Sequence, residues 1–167
     1  MIYVLYGQPA SGKTTLGNLL AEELNTPFVI DGDEFRDMFT NKNYGREGRE
    51  ENIKNANAVA TYLNKKSTQN EWVAIYCKSE GGNSIQGRPV KDGTDVIMCL
   101  VNPYEHLRNE LKNNNQDKVL EIFLKSNRNL RKEYHVADFE KGNPNYIVNT
   151  DEKAENSWDY LKTLLDL

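Results

Sequence analysis

A glycine-rich segment near the start of the chain has the spacing of a phosphate-binding loop. Residues 7–14 read Gly-Gln-Pro-Ala-Ser-Gly-Lys-Thr, which fits the pattern Gly-x-x-x-x-Gly-Lys-[Ser/Thr]. The apolar run Ile2–Tyr6 precedes this loop and a helical pattern from Leu16 to Leu24 follows it, so strand, loop and helix occur in the order that the mechanism requires. We therefore expect the backbone N–H groups of the loop and the helix N-terminus to bind nucleotide phosphates.

Two side chains of this loop have specific expected roles. The Lys13 ammonium should reach the β- and γ-phosphates of ATP, and the Thr14 hydroxyl should ligate Mg²⁺. Glycines at positions 7 and 12 permit the backbone conformations that turn successive N–H groups inward. The predicted ATP site comprises Gly7, Ala10, Ser11, Gly12, Lys13, Thr14 and Thr15.

Acidic residues follow the second predicted strand, residues 27–30. Ligands of parallel sheets bind at the carboxyl ends of the strands, so Asp31 should face the γ-phosphate, as a catalytic base or as a group that orients Mg²⁺, partly through water. The third predicted strand ends at Cys77 without an acidic residue, which leaves Asp31 and Asp33 as the nearest carboxylates. The alternative is structural, with Asp31 as a helix N-cap and Asp33 as an acid of the first turn.

Arg36, Arg49 and Asn52 form a second group of candidate binding residues. Arg36 lies one turn beyond Asp33, while Arg49 and Asn52 are three residues apart and share one helix face. A guanidinium binds phosphate or sulfate oxygens in a bidentate manner, and an asparagine amide can hydrogen-bond a ribose or a base edge. We interpret this group as an acceptor site; the alternative is that Arg49 belongs to a solvated charged face with Glu50.

Length, charge and cysteine usage limit the class of protein. The chain has 167 residues, which fits one domain (1–167), and its net charge of −4 argues against long nucleic acid as a partner and favours small anionic substrates. Cys77 and Cys99 lie in apolar runs and are predicted to be core thiols in a reducing cytoplasm. The sequence shows neither a signal segment nor an apolar run near 18 residues, so we expect a cytoplasmic protein without a membrane partner.

Apolar periodicity predicts an α/β fold of three layers around a mainly parallel sheet of five strands. The segment 78–93 contains four glycines and one proline, and we predict a long functional loop there. The predicted strands cover residues 2–6, 27–30, 72–77, 95–101 and 146–148. The predicted helices cover residues 13–24, 33–40, 48–66, 104–112, 117–134 and 152–165.

Four segments together resemble adenylylsulfate kinase. They are the phosphate loop, Asp31-Gly32-Asp33-x-x-Arg36, Arg49-x-Glu51-Asn52-Ile53-Lys54 and Asn143–Thr150. Members of that family use Mg-ATP to phosphorylate the ribose 3′-hydroxyl of adenylyl sulfate. The resemblance implies that Asp31 orients or deprotonates this hydroxyl, and that Arg36, Arg49 and Asn52 hold the acceptor nucleotide.

Two departures from that family concern the acceptor side. The family has Ser-Pro-Tyr-Arg after its third strand, whereas this chain continues from Cys77 with Lys-Ser-Glu-Gly-Gly-Asn. The family's Lys-Gly-Leu-Tyr lid motif is also missing, and Arg128, Arg131 and Lys132 take its place as candidate lid residues. We therefore expect the segment 78–93, with Arg88 as a further acceptor contact, to set acceptor choice together with the lid.

These departures favour the same reaction on another nucleotide. The chain is also similar to cytidine diphosphoramidate kinase, a relative that acts in bacterial capsule biosynthesis, so the expected acceptor is cytidine diphosphoramidate or adenylyl sulfate. The expected cofactors are ATP and Mg²⁺, and a homodimer is left open. The alternatives are a polynucleotide 5′-hydroxyl kinase, because Asp33-Glu34-Phe35-Arg36 places an acid before an aromatic and an arginine, and a regulatory nucleotide-binding protein without catalysis.

Overall fold

The computed structural model describes residues 1–67, 73–79, 82–88, 95–128 and 130–167, and of 73–79 and 82–88 it describes the backbone. The strands are β1 Ile2–Tyr6, β2 Val29–Asp31, β3 Val73–Ser79, β4 Gly82–Arg88, β5 Val96–Leu100, β6 Val119–Lys125 and β7 Tyr146–Asn149. The helices are α1 Lys13–Glu23, α2 Gly32–Met38, α3 Arg46–Ser67, α4 Glu105–Asn114 and α5 Ala154–Leu165, with a 3₁₀ turn at Lys132–Tyr134.

Five strands form one parallel sheet in the order β2-β5-β1-β6-β7. The central strand β1 pairs with β5 on one side and with β6 on the other, so the phosphate loop begins in the middle of the sheet. All five carboxyl ends lie at the same edge, and this arrangement confirms the predicted α/β fold. That edge is where ligands of such sheets bind.

Alternating side chains of the sheet supply two hydrophobic cores, as the period of two predicts. On one face, Val4 and Met98 pack with Ile53 of α3 and Leu107 of α4. On the other face, Leu5, Ile97 and Cys99 pack with residues of α1 and α5. The three layers are therefore helices, sheet and helices, and Cys99 is the buried core thiol that its apolar run predicts.

Two of the predicted elements are wrong, and their errors offset each other in the strand count. The predicted third strand, residues 72–77, overlaps β3, but β3 pairs antiparallel with β4 in a separate hairpin. The predicted helix over residues 117–134 contains instead the sheet strand β6 and the 3₁₀ turn. The sheet thus has the predicted number of strands with β6 as a member in place of β3.

The segment 78–93, predicted as a long loop, contains the strand Gly82–Arg88. Its remaining residues from Glu80 onward, 80–81 and 89–93, lie outside the described residues, as do the side chains of Arg88 and Cys77. The expectation that this segment sets acceptor choice stays a prediction. In the described part of the chain, no helix has the length and apolar character needed to cross a membrane.

Candidate functional site

A cavity of about 820 Å³ opens at the carboxyl edge of the sheet, between the phosphate loop and the start of α3. Residues from β1–α1, β2–α2, α3, β5–α4 and the segment after β6 surround it, as the convergence of strand ends predicts. Its lining includes Ala10, Gly12, Lys13, Thr14, Thr15, Asp31, Asp33, Arg36, Arg49, Asn52, Arg128 and Arg131 from the predicted site.

The phosphate loop has the backbone geometry that its glycines predict. Gly7 has φ 156° and Gly12 has φ 86°, both in the range that side chains disfavour. A Cβ on Gly7 would lie 2.5 Å from the Leu124 carbonyl oxygen, so the loop also passes too close to β6 for any side chain there. The Thr150 hydroxyl donates to the Ser11 carbonyl oxygen over 2.9 Å, which fixes the loop to the end of β7.

Lys13 is folded back onto its own loop. Its Nζ donates to the carbonyl oxygens of Gly7 (3.1 Å) and Gln8 (2.7 Å) and to the Ser11 hydroxyl (3.3 Å). These are the three hydrogen bonds that an ammonium group can donate. Burial lowers the pKa of Lys13 from 10.5 to about 8, because removal from water disfavours the charged form.

Asp31 caps helix α2 and also faces the phosphate loop. One carboxylate oxygen accepts from the Asp33 N–H over 2.9 Å and caps α2, while the other accepts from the Thr14 hydroxyl over 2.7 Å. Thr14 and Asp31 therefore present neighbouring oxygen atoms to the cavity. Hydroxyl and carboxylate oxygens are the ligands that Mg²⁺ prefers, so this pair fits the metal expected from the sequence.

Arg36 organises the loop between α2 and α3. It is 9% exposed, and its Nη1 donates to the carbonyl oxygens of Asn41 and Asn43 and to the Asn41 side chain. Its guanidinium also lies 4.5 Å from the centre of the Tyr44 ring. Burial lowers the pKa of Arg36. The loop that presents Tyr44 to the cavity is thus built on this arginine, whose contact with an acceptor stays a prediction.

Arg49 and Asn52 lie on the predicted shared face of α3. Arg49 Nε donates to the Tyr44 carbonyl oxygen over 2.7 Å, and its Nη2 lies 3.5 Å from the Tyr134 carbonyl oxygen. Asn52 is 4% exposed and donates to the Gly32 carbonyl oxygen, while its Oδ1 has no hydrogen-bond partner among the described residues. Both residues line the cavity together with Asp33, so the structure brings the predicted acceptor group together.

Sequence reasoning missed two tyrosines that line the cavity on this side. The rings of Tyr44 and Tyr134 are 6.1 Å apart at 50°, and both residues are exposed. They are 90 positions apart, so no local pattern joins them. Two tyrosines in this arrangement can stack on a planar ring that enters between them, if their side chains move apart.

The turn after β5 was also missed as part of the site. Asn102 and Pro103 line the cavity and Tyr104 follows them at the start of α4, after the third sheet strand in chain order. Pro103-Tyr104 matches two residues of the Ser-Pro-Tyr-Arg segment that the resemblance expects there. The departure predicted after Cys77 is therefore wrong, because β3 is not a strand of the parallel sheet. The available signal was the Asn-Pro pair directly after the apolar run 96–101.

The candidate lid residues follow β6 in an irregular segment. Ser126 and Asn127 donate to the Asp151 carboxylate, and the Asn127 backbone N–H lowers the pKa of Asp151. This turn directs Arg128 into the cavity, and Arg131 joins it with a left-handed φ of 51°. Lys132 is exposed and does not line the cavity, so the structure brings two of the three lid residues to the site.

Two comparisons with known sequences bear on the family. The model of the AAA domain family matches residues 6–112, which include the phosphate loop, Asp31, the start of α3 and β5. No curated protein sequence matches the chain significantly. The match covers more than half of the 167 residues.

Solved structures of small-molecule kinases are similar to the whole chain. The APS kinase CysC of Mycobacterium tuberculosis, in complex with AMPPNP and APS, has a TM-score of 0.70 at 16% identity, over 99% of this chain and 97% of that one. A gluconokinase from Sinorhizobium meliloti 1021 gives 0.61 at 13% identity over 98% and 90%, and shikimate kinase from Aquifex aeolicus gives 0.58 at 16% over 99% and 96%. The fold is that of the P-loop kinases.

Proposed function

The chain belongs to the AAA domain family, and from this premise we propose that it is an ATP-dependent kinase that phosphorylates a hydroxyl group of a small nucleotide. The donor half of the proposal is supported by Lys13 and Thr14 in a phosphate loop at the centre of the sheet. The similar CysC structure contains AMPPNP and APS, and the gluconokinase and shikimate kinase have the same fold.

The observation that carries the nucleotide acceptor is the aromatic pair Tyr44–Tyr134 beside Arg49. Gluconate and shikimate contain no aromatic ring, and a site for them does not need stacking partners. A nucleobase does, because its planar faces are stabilised by contact with aromatic side chains, by about 1–3 kcal/mol per base. Arg49 would then lie where an anionic group attached to the nucleoside can be bound.

In the proposed reaction, the acceptor oxygen bonds to the γ-phosphorus as the bond to the β–γ bridging oxygen breaks, and ADP leaves. The Asp31 carboxylate accepts the hydroxyl proton. Lys13 and the basic residues Arg128 and Arg131 stabilise the charge on the transferring group. When bound, Mg²⁺ would screen the phosphate charges, and Thr14 and Asp31 are the residues that fit it.

The acceptors that we propose are cytidine diphosphoramidate and adenylyl sulfate, with the ribose 3′-hydroxyl as the nucleophile. Both combine a nucleobase for the tyrosine pair with an anionic acid anhydride linkage for Arg49. The Pro103-Tyr104 match favours adenylyl sulfate, whereas the unmatched lid favours a different nucleotide.

The experiment is a measurement of ADP release with Mg-ATP and a panel of acceptors. The panel contains cytidine diphosphoramidate, adenylyl sulfate, gluconate, shikimate and a 5′-hydroxyl oligonucleotide, and product masses identify the phosphorylated compound. We expect turnover with a nucleotide and none with gluconate or shikimate. The proposal would be contradicted if only a sugar acid or only the oligonucleotide is phosphorylated, or if none of the compounds is phosphorylated.

A variant pair links that turnover to the phosphate loop. Lys13→Ala should nearly abolish it, because loss of the ammonium removes about 3 kcal/mol or more of charge stabilisation. Lys118→Ala changes an exposed lysine at the opposite end of the sheet, before β6, and should leave the rate unchanged. A near wild-type rate for Lys13→Ala would contradict the assignment of residues 7–14 as the phosphate-binding loop.

A further inference from the structure

Gln8, in a variable position of the phosphate loop, forms a paired contact with a distant part of the chain. Its Nε2 donates to the Val136 carbonyl oxygen over 2.9 Å, and its Oε1 accepts from the Val136 N–H over 3.0 Å. A side-chain amide is the group that can satisfy both atoms of one peptide residue in this way. Val136 is 7% exposed, so the contact lies at the buried end of the segment that follows the lid.

Val136 lies two residues after Tyr134, and only the extended residue His135 separates it from the 3₁₀ turn that ends at Tyr134. The N–H groups of Tyr134 and His135 donate to the carbonyl oxygens of Arg131 and Lys132 over 3.0 and 3.1 Å. A shift of Val136 is therefore transmitted to the tyrosine that lines the cavity.

The backbone of Gln8 is hydrogen-bonded to Lys13, whose ammonium group should bind the donor phosphates. The Gln8 carbonyl oxygen accepts from Lys13 Nζ over 2.7 Å, the shortest of the three hydrogen bonds of that ammonium. Because all three Lys13 donors are in use, contact with a phosphate requires at least one of these bonds to break. Donor binding must therefore change the bonding of the residues around Gln8.

We propose that Gln8 is a positioning residue that couples the two substrate sites, by joining the phosphate loop to the segment that carries Tyr134. Donor phosphates that order the loop also order this segment, so the acceptor then binds with less loss of conformational freedom. By thermodynamic linkage, the acceptor strengthens donor binding by the same factor. The role of Tyr134 in this coupling rests on the function proposed above, whereas the link from Lys13 to Val136 does not.

The first test follows the Val136 amide directly, without any acceptor. Hydrogen exchange is measured by NMR with and without Mg-AMPPNP for the wild type, Gln8→Leu and the control Gln116→Leu, whose exposed side chain has no hydrogen bond to the described residues. We expect Gln8→Leu to raise Val136 exchange about tenfold, the equivalent of one hydrogen bond, and the control to leave it unchanged. AMPPNP should protect Val136 in the wild type and control but not in Gln8→Leu.

The second test measures coupling between substrates. Initial rates are collected over a matrix of ATP and acceptor concentrations, with the nucleotide that the panel identifies. In the wild type, saturating ATP should lower the acceptor KM about fivefold or more. In Gln8→Leu this factor should approach one, with kcat and the ATP dissociation constant changed much less. Gln8→Glu retains the oxygen that accepts from Val136 and should give intermediate values.

The outcomes separate the two proposals. Unchanged Val136 exchange in Gln8→Leu, or equal protection by AMPPNP in both proteins, overturns the coupling role even if a nucleotide is phosphorylated. If the panel shows no nucleotide kinase activity, the proposed function fails, and the exchange test alone decides the link from Lys13 to Val136. If Gln8→Leu does not fold, Gln8→Ala, which also removes both hydrogen bonds to Val136, supplies the same comparison.

Discussion

The ionisation of one side chain, Lys13, should control donor binding at high pH. Its pKa is lowered to about 8 by burial, and only the ammonium form attracts phosphate. Affinity for Mg-AMPPNP should therefore be level below about pH 7 and fall as pH rises through 8, by about tenfold between pH 7 and pH 9. Calorimetric titration across this range measures it.

Lys13→Arg is the matched control for that profile, because a guanidinium stays protonated throughout the range. This variant should bind AMPPNP more weakly at every pH, since the geometry differs, but without the fall above pH 8. A level profile for the wild type would contradict the assignment of Lys13 as the phosphate-binding ammonium.

Asp31→Asn separates the catalytic role of this residue from its structural one. The amide oxygen can still cap α2 by accepting from the Asp33 N–H, so the melting temperature should change little. The charge and basicity are lost, and we expect kcat to fall by roughly 10²-fold or more with a smaller effect on ATP affinity. Steady-state kinetics measure this, with Asp37→Asn on the same helix as control.

The Mg²⁺ dependence of the Asp31→Asn variant shows whether Asp31 is the catalytic base or orients the metal. If kcat is restored by raising the Mg²⁺ concentration, Asp31 orients the metal and another group accepts the proton.

The sequence predicted the N-cap and the site role of Asp31 as alternatives. In the structure one carboxylate oxygen caps α2 and the other accepts from Thr14, so the two contacts occur together.

Between elements, Tyr44 precedes α3 and Tyr134 ends the 3₁₀ turn, and together they should determine acceptor affinity. Tyr134→Leu should raise the acceptor KM about tenfold or more, because a stacked base loses about 1–3 kcal/mol, while the ATP KM stays near the wild-type value. Tyr134→Phe keeps the ring and should restore the affinity. Tyr62→Leu, at an exposed position of α3, is the control.

An equal rise in both KM values, or a failure of Tyr134→Phe to restore the acceptor KM, would count against stacking.

The tyrosine pair could not be predicted from the sequence, because two exposed tyrosines 90 positions apart have no pattern in common. The phosphate loop could be predicted, because its pattern and the strand and helix that flank it are contiguous in the sequence.

The error at β6 has a specific physical cause. Residues 119–125 read Val-Leu-Glu-Ile-Phe-Leu-Lys, and the buried Glu121 interrupts the apolar run that identifies a central strand. Its charge is compensated by Arg108 and Lys112 of α4, at 3.7 and 2.8 Å, and this compensation is visible only in three dimensions. Likewise, the apolar run of β3 resembles a sheet strand, although its partner is β4.

For the whole molecule, Arg108 joins the sheet, the turn after β5 and the segment that follows Val136. It is 1% exposed, and its guanidinium donates to the carbonyl oxygens of Asn102, Glu140 and Lys141 over 2.6–3.1 Å while lying 4.3 Å from the centre of the Tyr6 ring. Burial raises the pKa of Tyr6 to about 12, so its hydroxyl stays protonated and also donates to the Lys141 carbonyl oxygen.

Arg108→Met should therefore reduce the free energy of unfolding by about 3–5 kcal/mol, because the buried Asn102 carbonyl oxygen and two partly buried carbonyl oxygens lose their donor, while Glu121 loses one of its two cationic partners. Urea denaturation measures the loss. Arg46→Met, which removes exposed ion pairs with Glu50 and Asp138, should cause much less change. The double variant Arg108→Met/Glu121→Leu also removes the buried carboxylate, which only Lys112 would then compensate, and should recover part of the stability, since a buried ion pair replaced by apolar groups is often neutral. Without such recovery, the carbonyl contacts of Arg108 rather than its pairing with Glu121 would account for the stabilisation.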